Sequence, residues 1–198
     1  MSGVQQGAAS TRDRILAAAV SVFARQGYHG TSVDDIVQEA GSSKGAFYFH
    51  FANKEALFLA IVEQFASDLI VAVYDALKAA SGRERVRAAV EAGVKAFAQE
   101  PALAKIFLVE AVGLNPSFEA KRREIYGAFA KLIREYLDAA VEDGDLPPQD
   151  TELAAYAWLG TISEGVVFAL ERGRDLQSAD FVDSLTCLVL RAVGYQPS

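Results

Sequence analysis

The sequence has few of the side chains on which covalent and metal chemistry depend. Its 198 residues include one cysteine and two histidines. Cys187 has no second cysteine to pair with, so an internal disulfide is excluded and a reducing, cytoplasmic compartment is expected. A glycine-rich phosphate loop, a cluster of metal ligands and a nucleophile motif are all missing. The sequence therefore predicts a protein that is not an enzyme and that holds neither a cofactor nor a metal ion.

Targeting and membrane segments are also missing from the sequence. The first ten residues, MSGVQQGAAS, have neither the basic start nor the apolar centre of a secretory signal, and they predict a flexible tail over 1–10. The most apolar stretch, LFLAIVEQFASDLIVAVYDAL, is interrupted by charged residues. We therefore expect no membrane-spanning helix and no membrane partner.

Charge is divided unevenly along the chain. The first 55 residues hold five basic and five acidic side chains, so the remainder carries the whole net charge of −7. Because an acidic surface repels nucleic acid, a nucleic-acid partner is predicted to meet only the N-terminal part.

Almost every segment has the composition and apolar spacing of a helix. The alternating β-branched runs that mark strands are missing. The sequence therefore predicts an all-α protein with a three-helix N-terminal domain over 11–53 and a larger helical domain over 54–198. Two short helices are predicted between residues 32 and 51, and the longer helices span 11–26, 54–80, 82–99, 101–113, 116–143, 151–172 and 178–194.

Capping residues mark the start of several of these helices. Ser32 and Asp35 have the serine-to-acid spacing of a capping box. Ser43, Asn53 and Asn115 each stand just before a predicted helix, where a side-chain oxygen can accept from its free N–H groups.

Two short helices joined by a tight turn and preceded by a longer helix are the pattern of a helix-turn-helix. In such a unit the second short helix enters the major groove of DNA. The stretch GSSKGAFYFHF, residues 41–51, supplies that helix. Phe47 and Phe51, four residues apart, are predicted to face a small core, which leaves Lys44 and Tyr48 toward solvent or phosphate.

Residues 11–58 resemble the TetR family of bacterial transcriptional regulators. The similarity lies in ILAAAVSVFARQGYHGTSVDDIVQEAG and in SKGAFYFHFANKEALF, and beyond Phe58 only the helical architecture is similar. The resemblance implies a homodimer that binds a double-stranded DNA operator and is released by a small-molecule effector. It assigns DNA binding to 11–53, and effector binding and dimerisation to 54–198.

The resemblance also implies which residues contact DNA. Phosphate contacts are implied for Ser32, Tyr48 and Lys54, and base contacts for Ser43, Lys44, Gly45 and Ala46. His50 is expected either to contact DNA or to bind a backbone carbonyl beneath the docking surface. Ala46 stands where the family often has a hydroxyl residue, and Ser42 where it often has an apolar one. The methyl group of Ala46 remains able to contact a thymine methyl.

The last two predicted helices point to a partner surface. Helix 151–172 is apolar nearly all round, so it needs apolar neighbours on two sides. We interpret it, together with 178–194, as a self-complementary dimer surface, with one large monomeric core as the alternative. The predicted interface comprises Leu159, Ile162, Val166, Phe181, Leu185, Leu188, Val189 and Ala192.

Aromatic side chains in the C-terminal helices predict an apolar ligand pocket. Its predicted lining comprises Phe65, Phe97, Phe107, Asn115, Tyr126, Phe129, Trp158, Glu164 and Phe168. For Asn115 the alternative is a helix cap, and for Glu164 simple solvation. The set predicts a mainly apolar effector. The basic run 121–123 is either a solvated face or a contact for an anionic head group such as that of an acyl-coenzyme A.

The sequence as a whole thus predicts a ligand-responsive transcriptional repressor that acts as a homodimer. The alternative is a helical adaptor that binds another protein through its C-terminal helices and does not bind DNA.

Overall fold

The computed structural model describes residues 10–82, 84–111 and 113–195. Within these ranges the chain forms nine α-helices, one π-helical turn and no β-strand, so the predicted all-α fold class is confirmed. The tail predicted over 1–10 lies outside the described residues except for Ser10. The hydroxyl of Ser10 accepts from Asp13 N at 3.1 Å and caps the first helix.

The helices are α1 Thr11–Gly30, α2 Val33–Glu39, α3 Lys44–His50, α4 Lys54–Ala79, α5 Glu84–Gln99, α6 Pro101–Lys105, α7 Pro116–Glu142, α8 Thr151–Glu171 and α9 Ala179–Ala192. Most bounds lie within a few residues of the prediction. α1 continues past its predicted end, but Gly27 has a φ of 72° and interrupts the helical geometry there. The helix predicted over 101–113 is instead α6 followed by a π-helical turn, Ile106–Glu110.

The chain divides into two compact units, Met1–Val62 and Glu63–Ser198. The predicted boundary after residue 53 stands earlier, at the start of α4. The first turns of α4 belong to the N-terminal unit because Leu57 and Phe58 are fully buried and the Phe58 ring packs edge-on against Phe23 of α1, with centroids 5.1 Å apart.

In the N-terminal unit, α1 packs against α2 and α3. Ile15, Phe23, Ile36 and Phe47 are fully buried, and Phe51 nearly so. The predicted inward orientation of Phe47 and Phe51 is therefore confirmed. Each such side chain contributes about 1.5–3 kcal/mol through burial, which is how α1 and the two short helices hold together.

In the C-terminal unit, α7 packs against α8, and α9 packs against both α5 and α8. α8 and α9 approach closely at Gly165, where an added Cβ would lie 3.0 Å from Leu185 Cδ1. A Cβ at this position would require the Leu185 side chain to shift, so the glycine permits the close crossing.

This packing corrects most of the predicted dimer surface. Six of its eight residues belong to the interior of the chain's own C-terminal unit: Leu159, Ile162, Val166, Phe181, Leu185 and Val189. Leu159 and Ile162 line a cavity, and the other four are buried in the core. Leu188 and Ala192 alone are exposed. Because α8 is apolar on both sides, the spacing of its residues does not distinguish the side that packs within the same chain from the side that is left exposed.

In contrast to the expectation from the sequence, two helices are long and apolar enough to cross a membrane by length and composition. They are α4 and α8, and core helices of soluble proteins meet the same criterion. In α8 only 22% of the most apolar 18-residue stretch is buried, and Leu153, Tyr156 and Phe168 are exposed. The chain itself therefore leaves one apolar face of α8 uncovered.

Candidate nucleic-acid interface and effector cavity

The helix-turn-helix begins at a capping box. Ser32 Oγ accepts from Asp35 N at 3.2 Å, and the Asp35 carboxylate accepts from Ser32 N at 2.8 Å. The Ser32 hydroxyl also donates to this carboxylate, which holds the pKa of Asp35 below its ordinary value. Gly41, with a φ of 55°, forms the turn after α2, and Ser43 Oγ accepts from Ala46 N to start α3. The predicted caps are confirmed.

Beyond its buried residue Phe47, α3 presents aromatic side chains to solvent. The Phe47 ring holds Tyr48 in an edge-on contact with centroids 5.2 Å apart, and Tyr48 is 55% exposed. His50 is half-buried between the rings of Phe49 and Phe51. Phe49 is 83% exposed, more than Tyr48, and sequence reasoning missed it. Phe49 stands two positions after the buried Phe47, a spacing that puts it on another side of the helix, and this could have indicated its exposure.

Lys44, the first residue of α3, is held by an acid of α2. Its Nζ lies 2.7 Å from Asp34 Oδ1, and both side chains are exposed. The hydrogen bond to Asp34 raises the pKa of Lys44, which therefore stays charged. Asp34 thus competes with DNA for Lys44, although two further N–H donors of the ammonium group remain for a phosphate or a base.

We expect the substitution Asp34→Asn to strengthen DNA binding by about two- to fivefold, since it removes a competitor for Lys44 and a charge that repels phosphate. The measurement is a binding titration with operator DNA at fixed salt. Asp180→Asn, which neutralises an exposed acid in the first turn of α9, is the matched control and should leave affinity unchanged. Weaker binding by Asp34→Asn would show that Asp34 supports the fold of the docking surface rather than masking it.

Lys54, the first residue of α4, has an internal role. Its Nζ donates to Tyr28 O and to Thr31 O, each at 2.7 Å, and lies 4.3 Å from the centroid of the Tyr28 ring. Burial lowers the pKa of Lys54. Two of the three N–H donors of the ammonium group are thus used within the unit. Lys54 thus fastens the start of α4 to the end of α1, and the implied phosphate contact, for which one N–H donor remains, stays a prediction.

The C-terminal unit contains an apolar cavity of about 100 Å³. Side chains of α4, α5, α7 and α8 line it, together with Phe107 of the π-helical turn. Five of the predicted pocket residues are in this lining: Phe97, Phe107, Tyr126, Phe129 and Trp158. Sequence reasoning missed other lining residues, which include Leu69, Val73, Leu77, Val90, Gly93, Leu132 and Tyr136.

Four predicted pocket residues do not line the cavity: Phe65, Asn115, Glu164 and Phe168. Phe65 packs behind it, its ring centroid 5.6 Å from those of Phe97 and Phe107. Asn115 caps α7 by accepting from Ser117 N at 2.9 Å, which was its alternative role. The other two are exposed on α8.

Polar groups at the cavity wall are few. Tyr126 OH donates to Ser163 Oγ at 3.3 Å, and Tyr136 OH lies 3.3 Å from Tyr195 OH. Burial raises the pKa of Tyr136, so its phenol stays neutral. Trp158 Nε1 is buried and meets no hydrogen-bond acceptor within the described part of the chain. The cavity is therefore suited to an apolar chain with few polar atoms.

The basic run 121–123 is largely paired with carboxylates of the chain itself. Lys121 Nζ lies 2.8 Å from Glu63 Oε1, and Arg122 Nη2 lies 3.0 Å from Glu119 Oε2. The run thus has the character of a surface ion-pair network, which was the alternative to an anion site. No group of three or more His, Cys, Asp or Glu placed to hold a metal ion occurs among the described residues.

Both units match known protein families. Residues 15–61 match the family described as bacterial regulatory proteins, tetR family. Residues 79–166 match the tetracyclin repressor-like C-terminal domain. The chain belongs to the TetR family. The first TetR match contains the helix-turn-helix, and the second contains most of the cavity-lining residues.

Three proteins illustrate how this TetR-family chain relates to known regulators. It is 42% identical over 82 residues to the HTH-type transcriptional activator FasR of Mycolicibacterium smegmatis, a match that spans 41% of this chain and 37% of FasR. It is 26% identical over 155 residues to the fatty acid metabolism regulator protein of Bacillus subtilis, covering 77% of this chain and 80% of that one. The solved structure of the fatty acid degradation regulator FadR from Bacillus halodurans gives a TM-score of 0.86 at 25% identity, covering 96% and 100%. The chain is a DNA-binding transcriptional regulator.

Proposed function

We propose that this TetR-family regulator is a cytoplasmic repressor that binds a near-palindromic operator as a homodimer and is released by a fatty-acyl effector. The observation that carries the proposal is that the same chain has two features. Its helix α3 exposes Lys44 and Tyr48, and its C-terminal unit contains an apolar cavity that α4 helps to line. Two of the relatives above are regulators of fatty acid metabolism by name, which supports the effector class. FasR is named an activator, so repression rather than activation is itself part of the proposal.

The DNA contacts in this proposal come from the start of α2 and from α3: Ser32, Ser43, Lys44, Gly45, Ala46, Tyr48 and His50. Phe49 joins them because its ring is exposed beside Tyr48. Gly45 has no side chain, so the backbone of α3 can approach the groove closely. In a dimer the two α3 helices would be spaced about 34–36 Å apart, one turn of DNA.

The proposed dimer surface is the uncovered face of α8 together with the exposed side of α9. Leu153, Tyr156 and Phe168 on α8 and Leu188 on α9 are exposed apolar side chains. Gly160 adds no bulk there, and a Cβ built on it meets nothing within 4 Å. An exposed apolar face of this kind favours association. A second copy of the chain would cover this face with two-fold symmetry, whereas the adaptor alternative requires a different protein as partner. Sedimentation of the purified protein distinguishes a dimer from a monomer that awaits another partner.

The test of DNA binding is the salt dependence of operator affinity. Operator sequences come from selection of bound DNA out of a random pool. If each dimer neutralises about eight phosphates, the logarithm of affinity should fall against the logarithm of salt concentration with a slope of about −7. A slope near zero would contradict DNA binding through Lys44 and the rest of α3.

Release by the effector requires that it bind the non-operator conformation more tightly. The cavity of about 100 Å³ is small compared with the ~300–1,000 Å³ of typical ligand sites, so a long chain must displace lining side chains. Leu69, Val73 and Leu77 of α4 are among these. The same helix begins at Lys54 in the N-terminal unit, which makes α4 the proposed link, with a coupling of about 1–3 kcal/mol.

We expect Gly93→Ala to stabilise the protein and to weaken release by the effector. Gly93 lies within α5 at the cavity wall, and a Cβ there would meet Val73 Cγ2 at 3.8 Å, an ordinary contact. Replacing a helical glycine by alanine adds about 0.5–1 kcal/mol to the free energy of unfolding, while the methyl group narrows the cavity. Gly127→Ala in α7 is the matched control: Gly127 does not line the cavity, so this change should add stability alone. The measurements are chemical denaturation and effector-induced loss of operator binding. Equal release by the two variants would argue against this cavity as the effector site.

A further inference from the structure

A second, polar pocket of about 340 Å³ adjoins the apolar cavity. The two share Leu77, Leu132 and Tyr136 in their walls. The charged residues of the second pocket are Lys78, Arg85, Glu135, Asp143 and Asp145. An apolar compartment that shares walls with a charged one fits an amphipathic molecule, with its chain in the first and its head in the second.

Trp158 marks where the first polar atom of such a molecule should lie. The residue lines the apolar cavity and is 4% exposed, and its Nε1–H has no acceptor among the described residues. A buried N–H left unpaired destabilises the protein, so an acceptor supplied by a ligand would be favoured there. The Trp158 ring centroid lies 6.3 Å from that of Tyr136, which belongs to both pockets. The Trp158 side chain is thus close to a residue that the two compartments share.

The direction of the apolar chain follows from α7. Cavity-lining residues on this helix run from Tyr126 to Tyr136, a length of about 15 Å at the helical rise. Once lining side chains are displaced, an acyl chain of medium length laid along α7 would reach from Tyr126, near its last methylenes, to Tyr136, near its polar end.

The cations of the second pocket come from α4 and α5. Lys78 Nζ lies 4.4 Å from the centroid of the Tyr74 ring, and Arg85 Nε donates to Ala80 O at 2.9 Å. The carboxylates come from α7 and the residues that follow it. Because the three carboxylates outnumber the two cations, an anionic head group is compatible with this pocket only where it contacts Lys78 and Arg85.

We propose that the ligand is an acyl derivative held in one direction, with its chain in the cavity, its carbonyl oxygen accepting from Trp158 Nε1–H, and its anionic head near Lys78 and Arg85. The inference rests on the fatty-acyl effector proposed above and adds its orientation and its recognition. A free carboxylic acid and a coenzyme A thioester both have this chemistry, so the experiment includes both.

The test of Trp158 compares two ligands that differ in one oxygen atom. Dodecanoyl-coenzyme A has the carbonyl group, whereas its thioether analogue S-dodecyl-coenzyme A lacks the oxygen. Calorimetric titration of the full-length chain should show that Trp158→Phe lowers the affinity for dodecanoyl-coenzyme A about fivefold. The affinity for the thioether should stay unchanged. Trp158 is the one tryptophan of the sequence, so its fluorescence provides a second measure of binding to the parent chain. An equal loss for both ligands, no loss for either, or no binding of any acyl ligand to the parent chain would overturn the proposal.

The test of the head group uses Lys78→Ala and Arg85→Gln. Each substitution should lower the affinity for dodecanoyl-coenzyme A or for dodecanoic acid severalfold. Binding of either ligand to the parent chain supports the proposal, and the ligand that binds more tightly identifies the source of the anion. Lys95→Ala is the control, because Lys95 is exposed on α5 and lines neither pocket. Unchanged affinity in both pocket variants would refute the assigned orientation. Operator binding without ligand should be the same in all of these variants, so a failure of DNA binding by the parent chain is recognised separately.

Discussion

A chain with both Lys44→Ala and Tyr48→Ala should bind operator DNA at least about tenfold more weakly than the parent chain, with its fold unchanged. Lys44 and Tyr48 are exposed on α3, so their removal costs the unit little of its core. The loss of Lys44 removes one cation per subunit from the phosphate contacts. The salt slope of a dimer should therefore become shallower by about two, which distinguishes a lost phosphate contact from a lost fold.

The control for this variant is Lys131→Ala, which removes an exposed lysine of α7 in the C-terminal unit. Operator titrations at several salt concentrations and thermal unfolding followed by circular dichroism provide the measurements. The control should bind as the parent chain does. Parent-like affinity in the double variant would remove α3 from the proposed interface, and a lowered melting temperature would mean that the lost affinity reflects folding.

The helix-turn-helix could be predicted from the sequence because the signals that define it are local. Ser32 and Asp35 of the capping box are three positions apart, and Ser43 caps α3 at the same spacing. Gly41 lies at the turn, where a positive φ favours glycine over any other residue. Phe47 and Phe51 reveal the buried side of α3 by their separation. Each of these inferences uses residues within one turn of one another, so no knowledge of the rest of the fold is needed.

The C-terminal unit could be predicted only as a set of helices. α8 is apolar all round, so its spacing does not distinguish Val166, which is fully buried, from Phe168, which is exposed. The lining of the cavity depends on which helices meet, and here α4, α5, α7 and α8 do so over more than 90 residues of sequence. Gly93 gave no aromatic or polar signal at all, although it lies at the cavity wall. Pocket residues of this kind follow from tertiary packing and not from residue type.

Lys54 has an internal role that the sequence did not reveal. A lysine at a helix start is opposed by the helix dipole, which predicts that it gains from a nearby anion such as a phosphate. The two carbonyl oxygens of Tyr28 and Thr31 provide that negative charge from within the protein, 26 and 23 residues earlier in the chain. Residue spacing reveals no contact of such long range. The structure therefore changes the expected consequence of removing this side chain from a loss of DNA charge to a loss of stability.

We expect Lys54→Met to lower the free energy of unfolding of the N-terminal unit by about 2 kcal/mol, because hydrogen bonds to a charged donor contribute about 1.5–3 kcal/mol. Methionine keeps most of the length of the side chain, so the packing on the Tyr28 ring is largely retained while both N–H donors are lost. The carbonyl oxygens of Tyr28 and Thr31 then lose their charged partner. Urea unfolding of the full-length chain, with the fluorescence of Trp158 to report on the C-terminal unit and circular dichroism on all helices, measures the change.

DNA binding separates this internal role from a phosphate contact. Without urea, and at a temperature where the variant is fully folded, operator binding by Lys54→Met should have the same salt slope as that of the parent chain. Operator binding by Lys44→Ala should have a shallower slope. A phosphate-binding Lys54 predicts the reverse pattern: a slope shallower by about one per subunit and parent-like stability. Because two of the three ammonium donors already bind carbonyl oxygens at 2.7 Å, moving Lys54 to a phosphate would break the contacts that hold α4 to α1. We therefore expect Lys54, which fixes the DNA-binding unit, to contribute less to DNA binding than Lys44 does.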